Sequence, residues 1–198
     1  MKSKKRRIGI FRGTFDPIHI GHVSFALKAI TKAKLDELYF LVEPMPPHKK
    51  NVSDFVHRLK MVYQTVEPYQ GMHVLDLGNT KTNASNIITK LKAKFKSTTF
   101  VFLMGSDVAK TLPQWSNLEI FCEDNEIIIA LRNLDEKNEI VKIIDSLPVK
   151  MTYATIISAP VPSISSTTIR NNIYQNNSSI HIDNNVHQYI ATQQLYKK

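Results

Sequence analysis

The chain has 198 residues, enough for one α/β domain with a sizeable core, and its hydrophobic content of 42% is ordinary for a globular protein. Its net charge of +9 allows either a basic surface for nucleic acid or a protein whose ligands are polyphosphates. The single cysteine, Cys122, excludes an internal disulfide and a cysteine-rich metal site. No apolar run reaches the roughly 20 residues that span a bilayer, so we expect a cytoplasmic protein without membrane contact.

The basic run at residues 2–7 could begin a secretion signal, but no apolar segment follows it. We predict that residues 1–7 form a solvated basic tail of one domain covering 1–198. The other lysines and arginines are scattered and are not interleaved with aromatic residues, which makes nucleic acid an unlikely partner. A homo-oligomer remains open.

Strands and helices are predicted to alternate along the chain. The predicted strands cover residues 8–11, 37–43, 73–77, 99–104, 126–131 and 153–158. The predicted helices start near Gly21 and cover 55–66, with Asp54 as a cap, then 84–95, 136–146, 166–174 and 184–195, with an Asn- and Ser-rich loop around 171–185. This order predicts a Rossmann-like, doubly wound, mostly parallel sheet with helices on both faces.

Polar clusters follow three of the predicted strands, at residues 12–16, 105–107 and 132. In such sheets ligands bind beyond the carboxyl ends of the strands, so we expect these clusters to converge. The sequence has no GxGxxG fingerprint and no Walker A loop, which argues against a dinucleotide oxidoreductase and a P-loop NTPase.

Residues 8–22 form the most informative stretch: a short strand, a Gly13–Pro17 turn and a helix start that carries His19 and His22. Free N–H groups and the helix dipole favour an anion at such a helix start. Histidines three apart can donate to one phosphate from the same side. We expect Gly13 to let a bulky anion approach the main chain.

A second candidate anion site is the segment 164–170, Ile-Ser-Ser-Thr-Thr-Ile-Arg. Its hydroxyls lie at a predicted helix start, with Arg170 less than one turn beyond. Taken alone, the pattern fits a helix cap followed by a surface arginine as well as it fits a phosphate-binding site. Together with the first stretch, it gives the chain two candidate phosphate-binding segments.

The two segments resemble the HxGH and ISSTxIR motifs of the nucleotidyltransferase superfamily, and the chain as a whole resembles bacterial nicotinate-nucleotide adenylyltransferases. Further matches are the segments at 46–49, 57–61, 105–107, 112–115 and 189–196. The resemblance implies transfer of AMP from ATP to nicotinate mononucleotide in NAD biosynthesis, which yields deamido-NAD and pyrophosphate. Mg²⁺ would be carried by the ATP phosphates.

The resemblance also implies roles for individual residues. His19 and His22 would be catalytic. The ATP contacts would be Gly13, Thr14, Phe15, His19, His22, Gly105, Asp107, Arg132, Ser165, Ser166, Thr167 and Arg170. The mononucleotide contacts would be Asp16, His48, Lys49, Ser85, Asn86 and Trp115, with the indole of Trp115 stacked on the pyridine ring and Thr14 also facing the mononucleotide. No protein metal ligand is expected.

Two departures from the family pattern leave alternatives open. Arg12 stands where the family usually has a glycine, and it could add a phosphate contact or point away. Residues 83–87 differ from the family's Ser-Tyr-Thr segment, which leaves nicotinamide mononucleotide or another phosphate acceptor as an alternative substrate. A non-catalytic nucleotide or nucleic-acid binder is the alternative of a different class.

Overall fold

The computed structural model describes residues 5–46, 49–77, 84–122, 125–149, 153–158, 164–175 and 181–197. Across these ranges, six strands form one parallel sheet in the order β3-β2-β1-β4-β5-β6. The strands are β1 (Arg6–Gly13), β2 (Glu37–Val42), β3 (Met72–Val74), β4 (Thr98–Gly105), β5 (Asn125–Leu131) and β6 (Tyr153–Ser158). The predicted doubly wound α/β fold is confirmed.

Helices cover both faces of this sheet. They are α1 (Ile20–Ala33), α2 (Phe55–Val66), α3 (Ala84–Lys94), α4 (Ser106–Ala109), α5 (Leu118–Cys122), α6 (Lys137–Asp145), α7 (Ser166–Tyr174) and α8 (Asn184–Thr192). Helices α1, α2, α7 and α8 bury one apolar face, and α3 to α6 bury the other. None of the helices in the described ranges is long and apolar enough to cross a membrane.

Successive side chains of β1 point to opposite faces of the sheet, so the strand contributes to both cores. Ile8 and Ile10 point into the core beneath α3 to α6, whereas Phe11 points into the core beneath α1 and α2. A strand buried on both faces reads as a nearly continuous apolar run, and this is why β1 could be recognised from its sequence.

The end of the predicted basic tail belongs to the sheet. Arg6 and Arg7 are the first residues of β1, and the guanidinium of Arg7 makes two hydrogen bonds, of 2.7 and 2.8 Å, with the carboxylate of Glu126 on β5. Arg6 pairs with Glu37 on β2. These ion pairs let two basic residues extend the strand at the amino-terminal edge of the sheet.

Other predicted boundaries also shift. β3 ends at Val74 and α8 at Thr192, both earlier than predicted. α7 covers Ser166–Tyr174 as predicted, so only the start of the overlapping loop at residue 171 was wrong. The predicted cap at Asp54 is wrong in its chemistry: Asp54 precedes α2, but its side chain makes no capping hydrogen bond.

The chain reverses its winding between β1 and β4, which are neighbours at the centre of the sheet. The loops that leave their carboxyl ends diverge to opposite faces and leave a crevice between them. The fold therefore brings the three predicted polar clusters to one edge of the sheet.

Arg58 of α2 holds the loops around this crevice. Its side chain is only 1% exposed, although it carries a charge. Nε donates to the carbonyl of Ser53 at 2.8 Å, and the two Nη atoms donate to the carbonyls of Thr14 at 3.0 Å, Glu43 at 2.7 Å and Pro44 at 2.9 Å. One guanidinium thus connects the loop after β1 to the loop after β2.

We predict that Arg58→Met lowers the free energy of unfolding by about 3–5 kcal/mol, because buried carbonyls lose their donors. Urea denaturation followed by circular dichroism measures this loss. Lys60→Met, on the exposed side of the same helix, is the matched control and should change stability by less than about 0.5 kcal/mol. Equal losses in the two variants would contradict the role of Arg58.

Candidate active site

A cavity of about 900 Å³ lies at the carboxyl ends of β1, β4 and β5. Most of the predicted site residues line it. They are Gly13, Thr14, Phe15, Asp16, His19, His22, Lys49, Gly105, Asp107, Trp115, Arg132, Ser165, Ser166, Thr167 and Arg170. The residues singled out by sequence therefore meet in one place, although they come from positions up to about 150 residues apart.

Of the other predicted contacts, one does not line this cavity and two cannot be assigned to it. His48 and the side chain of Ser85 lie outside the described residues. Asn86, in the first turn of α3, is exposed and is not among the lining residues, whereas the next residue, Ile87, is buried and lines the cavity.

The two histidines form a stacked pair where α1 begins. His19 is the N-cap residue of α1, and its backbone N–H donates to Nδ1 of His22 at 3.2 Å. The ring centroids are 3.7 Å apart and the ring planes differ by 28°. Because Nδ1 of His22 accepts a hydrogen bond, the proton of its neutral ring lies on Nε2, which can then donate.

Burial keeps both rings neutral at pH 7. His19 is 7% exposed, and burial, helped by the charges of Arg132 and His181, lowers its pKa to about 4. Burial, followed by the charges of His19, Arg132 and Lys49, lowers the pKa of His22 well below its ordinary value. Within the described part of the chain, Nδ1 of His19 is buried without a hydrogen-bond partner, so a bound ligand could satisfy it.

Phe15 supports the histidine pair and explains Gly13. Phe15 has a positive φ of 51°, and its buried ring packs edge-on against His22 with centroids 5.1 Å apart. A Cβ at position 13 would lie 2.8 Å from that ring. Gly13 is therefore needed for the packing of Phe15, and the predicted approach of an anion to its main chain stays a prediction.

The carboxylate of Asp16 is hydrogen-bonded to other parts of the protein. It is 3% exposed; Oδ1 accepts from the hydroxyl of Tyr196 at 2.6 Å and Oδ2 from the N–H of Ser53 at 3.2 Å. Arg170 Nη1 lies 3.9 Å from Oδ2. The predicted contact of Asp16 with a mononucleotide stays a prediction, but these bonds give the carboxylate a part in shaping the loop.

The second motif is attached directly to the first. Ser165 caps α7 by accepting from the N–H of Thr168 at 3.1 Å. Ser166 Oγ donates to the carbonyl of Pro17 at 2.9 Å, and Arg170 Nη1 donates to the carbonyl of Asp16 at 2.7 Å. The start of α7 and the start of α1 thus face the same cavity.

The opposite wall carries Asp107 and Arg132, which form an ion pair at 3.1 Å, with both side chains more than half exposed. A Cβ at Gly105 would lie 2.4 Å from Asp107 Oδ1, so the glycine makes room for this carboxylate. The pair is accessible to a polar ligand.

An aromatic patch closes one end of the cavity. The indole N–H of Trp115 donates to Thr111 Oγ1 at 3.0 Å, and its ring packs at 69° to Phe121 with centroids 5.1 Å apart. These contacts fix the partly exposed Trp115 as a surface for a flat ring.

On the same sheet face, Arg12 pairs with Glu43, and both residues line the cavity.

Sequence reasoning missed Arg58 and Tyr196 as parts of the site. Both belong to segments that matched the family, but neither carried a local signal of burial or of its partner. Across the described ranges, no group of three or more His, Cys, Asp or Glu side chains could hold a metal ion.

Comparisons with known proteins show the family of the chain. Residues 10–172 match the cytidylyltransferase-like family model. Proteins named probable nicotinate-nucleotide adenylyltransferase from Christiangramia forsetii and Flavobacterium johnsoniae are 35% and 36% identical to the chain. The matches cover 64% and 66% of this chain and 68% and 70% of those proteins.

A solved structure shows the same fold. It is titled Plasmodium falciparum nicotinic acid mononucleotide adenylyltransferase complexed with NaAD, and it matches with a TM-score of 0.80 at 22% identity, covering 96% of this chain and 97% of that one. Together with the family model, which spans most of the chain, these matches confirm the resemblance found in the sequence: the chain belongs to the cytidylyltransferase-like family.

Proposed function

We propose that this chain transfers AMP from ATP to nicotinate mononucleotide, giving deamido-NAD and pyrophosphate. The observation that carries the proposal is the junction of the two phosphate motifs, where a neutral histidine pair and the start of α7 face one cavity. The names of the curated relatives, 35% and 36% identical, support the substrates.

In the proposed reaction, an oxygen of the mononucleotide phosphate attacks the α-phosphorus of ATP. A new P–O bond forms, and the bond between the α-phosphorus and the bridging oxygen breaks as pyrophosphate leaves. The acceptor phosphate is already anionic at neutral pH, so no protein base has to remove a proton. Catalysis then consists of positioning and of stabilising the charge that develops on the phosphoryl oxygens.

The histidines would act as hydrogen-bond donors in this step. The Nε2–H of neutral His22 would donate to the α-phosphoryl group or the leaving pyrophosphate, and His19 would contact the same phosphates. Arg170 and the hydroxyls around the start of α7 would hold the β- and γ-phosphates, because a helix start and a guanidinium both favour an anion.

The remaining wall would bind the two nucleosides. Gly105, Asp107 and Arg132 would contact the adenosine, and Trp115 would stack on the pyridine ring. Thr14 and Lys49 would face the mononucleotide phosphate. We assign Asp16 to the support of this loop, in keeping with its bonds to Tyr196 and Ser53.

Mg²⁺ would enter bound to the ATP phosphates. It takes phosphate oxygens and water readily, and the described residues include no group of three or more His, Cys, Asp or Glu side chains that could hold it on the protein. Its chemistry would be neutralisation of charge on the phosphates.

The test of the proposed function is pyrophosphate release from ATP and Mg²⁺ with nicotinate mononucleotide, nicotinamide mononucleotide or phosphopantetheine as acceptor. We expect the acid to be favoured over the amide by at least about 100-fold in kcat/KM, because a site that pairs a carboxylate rejects an uncharged analogue. Faster release with the amide or with phosphopantetheine would identify that compound as the acceptor substrate. If none of the three acceptors gives pyrophosphate release, in protein that binds ATP, the chain is better explained as a non-catalytic binder.

We predict that His22→Ala lowers kcat by about 10²–10³-fold, the usual cost of losing one donor to a developing charge. His187→Ala, at an exposed position on α8, is the control and should keep the wild-type kcat. Steady-state kinetics at saturating ATP, with melting curves to confirm folding, measures both. A folded His22→Ala enzyme with wild-type kcat would exclude the proposed role.

A further inference from the structure

The segment after α8, residues 193–197, is packed against the body of the protein. Leu195 N–H donates to the carbonyl of Ile190 at 3.0 Å, and Leu195 and Tyr196 pack against the core beneath α1 and α2. Gln194 and Tyr196 have positive φ angles of 53° and 62°, which turn the chain back toward the sheet. The segment therefore ends beside the loop that follows β1.

The hydroxyl of Tyr196 donates a short hydrogen bond there, to Asp16 Oδ1 at 2.6 Å. Burial and the charge of Asp16 raise the pKa of Tyr196 far above its ordinary value, so the phenol stays a donor at any working pH. A donor to a buried carboxylate is a strong hydrogen bond.

The backbone of Asp16 and Pro17 is hydrogen-bonded to residues of the second phosphate motif. The carbonyl of Asp16 accepts from Arg170 at 2.7 Å, and the next carbonyl, of Pro17, accepts from Ser166 at 2.9 Å. Two residues further, His19 caps α1 and orients His22. A shift of Asp16 would therefore displace Arg170 and the histidine pair together.

We propose that Tyr196 is a positioning residue for phosphoryl transfer: it fixes Asp16, and through Asp16 it sets Arg170 and the start of α1 in the geometry that binds the phosphates. This inference rests on the proposed function. Tyr196 does not line the cavity, so its effect has to pass through the loop.

The decisive variant is Tyr196→Phe, which removes only the hydroxyl. The matched control is Tyr189→Phe on α8, which also removes a partly buried tyrosine hydroxyl, one paired with His57 at 2.9 Å. We expect Tyr196→Phe to lower kcat about 10- to 100-fold, since small misplacements of reacting groups are costly, while Tyr189→Phe keeps kcat. Assays well below both melting temperatures separate this effect from stability, which both variants can lose.

A double-mutant cycle tests the route through Asp16. If Tyr196 acts through that carboxylate, the double variant Asp16→Asn with Tyr196→Phe should be no slower than Asp16→Asn alone. Independent, multiplying effects would overturn the proposed route.

Calorimetry with Mg²⁺-pyrophosphate separates this inference from the proposed function. Lower affinity in Tyr196→Phe than in Tyr189→Phe supports the positioning role, even if the wild type turns over no acceptor. Wild-type turnover with identical kcat, KM and pyrophosphate affinity in the two variants would overturn the positioning role and leave the function standing. A wild type that neither turns over nor binds pyrophosphate would overturn both.

Discussion

The site depends on how the backbone between β1 and α1 is held. Its carbonyls accept from side chains far away in the sequence: Thr14 from Arg58, Asp16 from Arg170 and Pro17 from Ser166. A buried carbonyl without a donor costs about 1–3 kcal/mol, so these bonds fix one loop shape among many. That shape places His19 at the first turn of α1 and lets Phe15 pack over Gly13.

The electrostatics of the cavity follow from this geometry. Burial keeps the stacked histidines neutral, so in the proposed reaction they would be hydrogen-bond donors of fixed direction. Arg170, Arg132 and Lys49 place positive charge around them. A neutral donor aimed at a phosphate needs no change of protonation during an in-line displacement. The proposed reaction needs no general base, because the acceptor phosphate is already anionic at neutral pH.

Much of this could be predicted from the sequence. Apolar periodicity located the strands and helices, and the two motifs contain many of the residues that line the cavity. The contacts of Arg58 and the bond between Tyr196 and Asp16 could not be predicted, because periodicity reports which face of an element is buried and not which polar groups meet across 180 positions. The packing of the Phe15 ring against Gly13 could not be predicted for the same reason.

The proposed chemistry depends on a neutral histidine pair with the His22 proton on Nε2. The most direct measurement of this state is long-range proton–nitrogen NMR of ¹⁵N-histidine-labelled protein across pH 4–8. We predict an unprotonated Nδ1 in His22, with no titration of His22 near its ordinary pKa, and a pKa of about 4 for His19. Titration of either ring near pH 6.5, or a proton on Nδ1 of His22 at pH 7, would contradict the account.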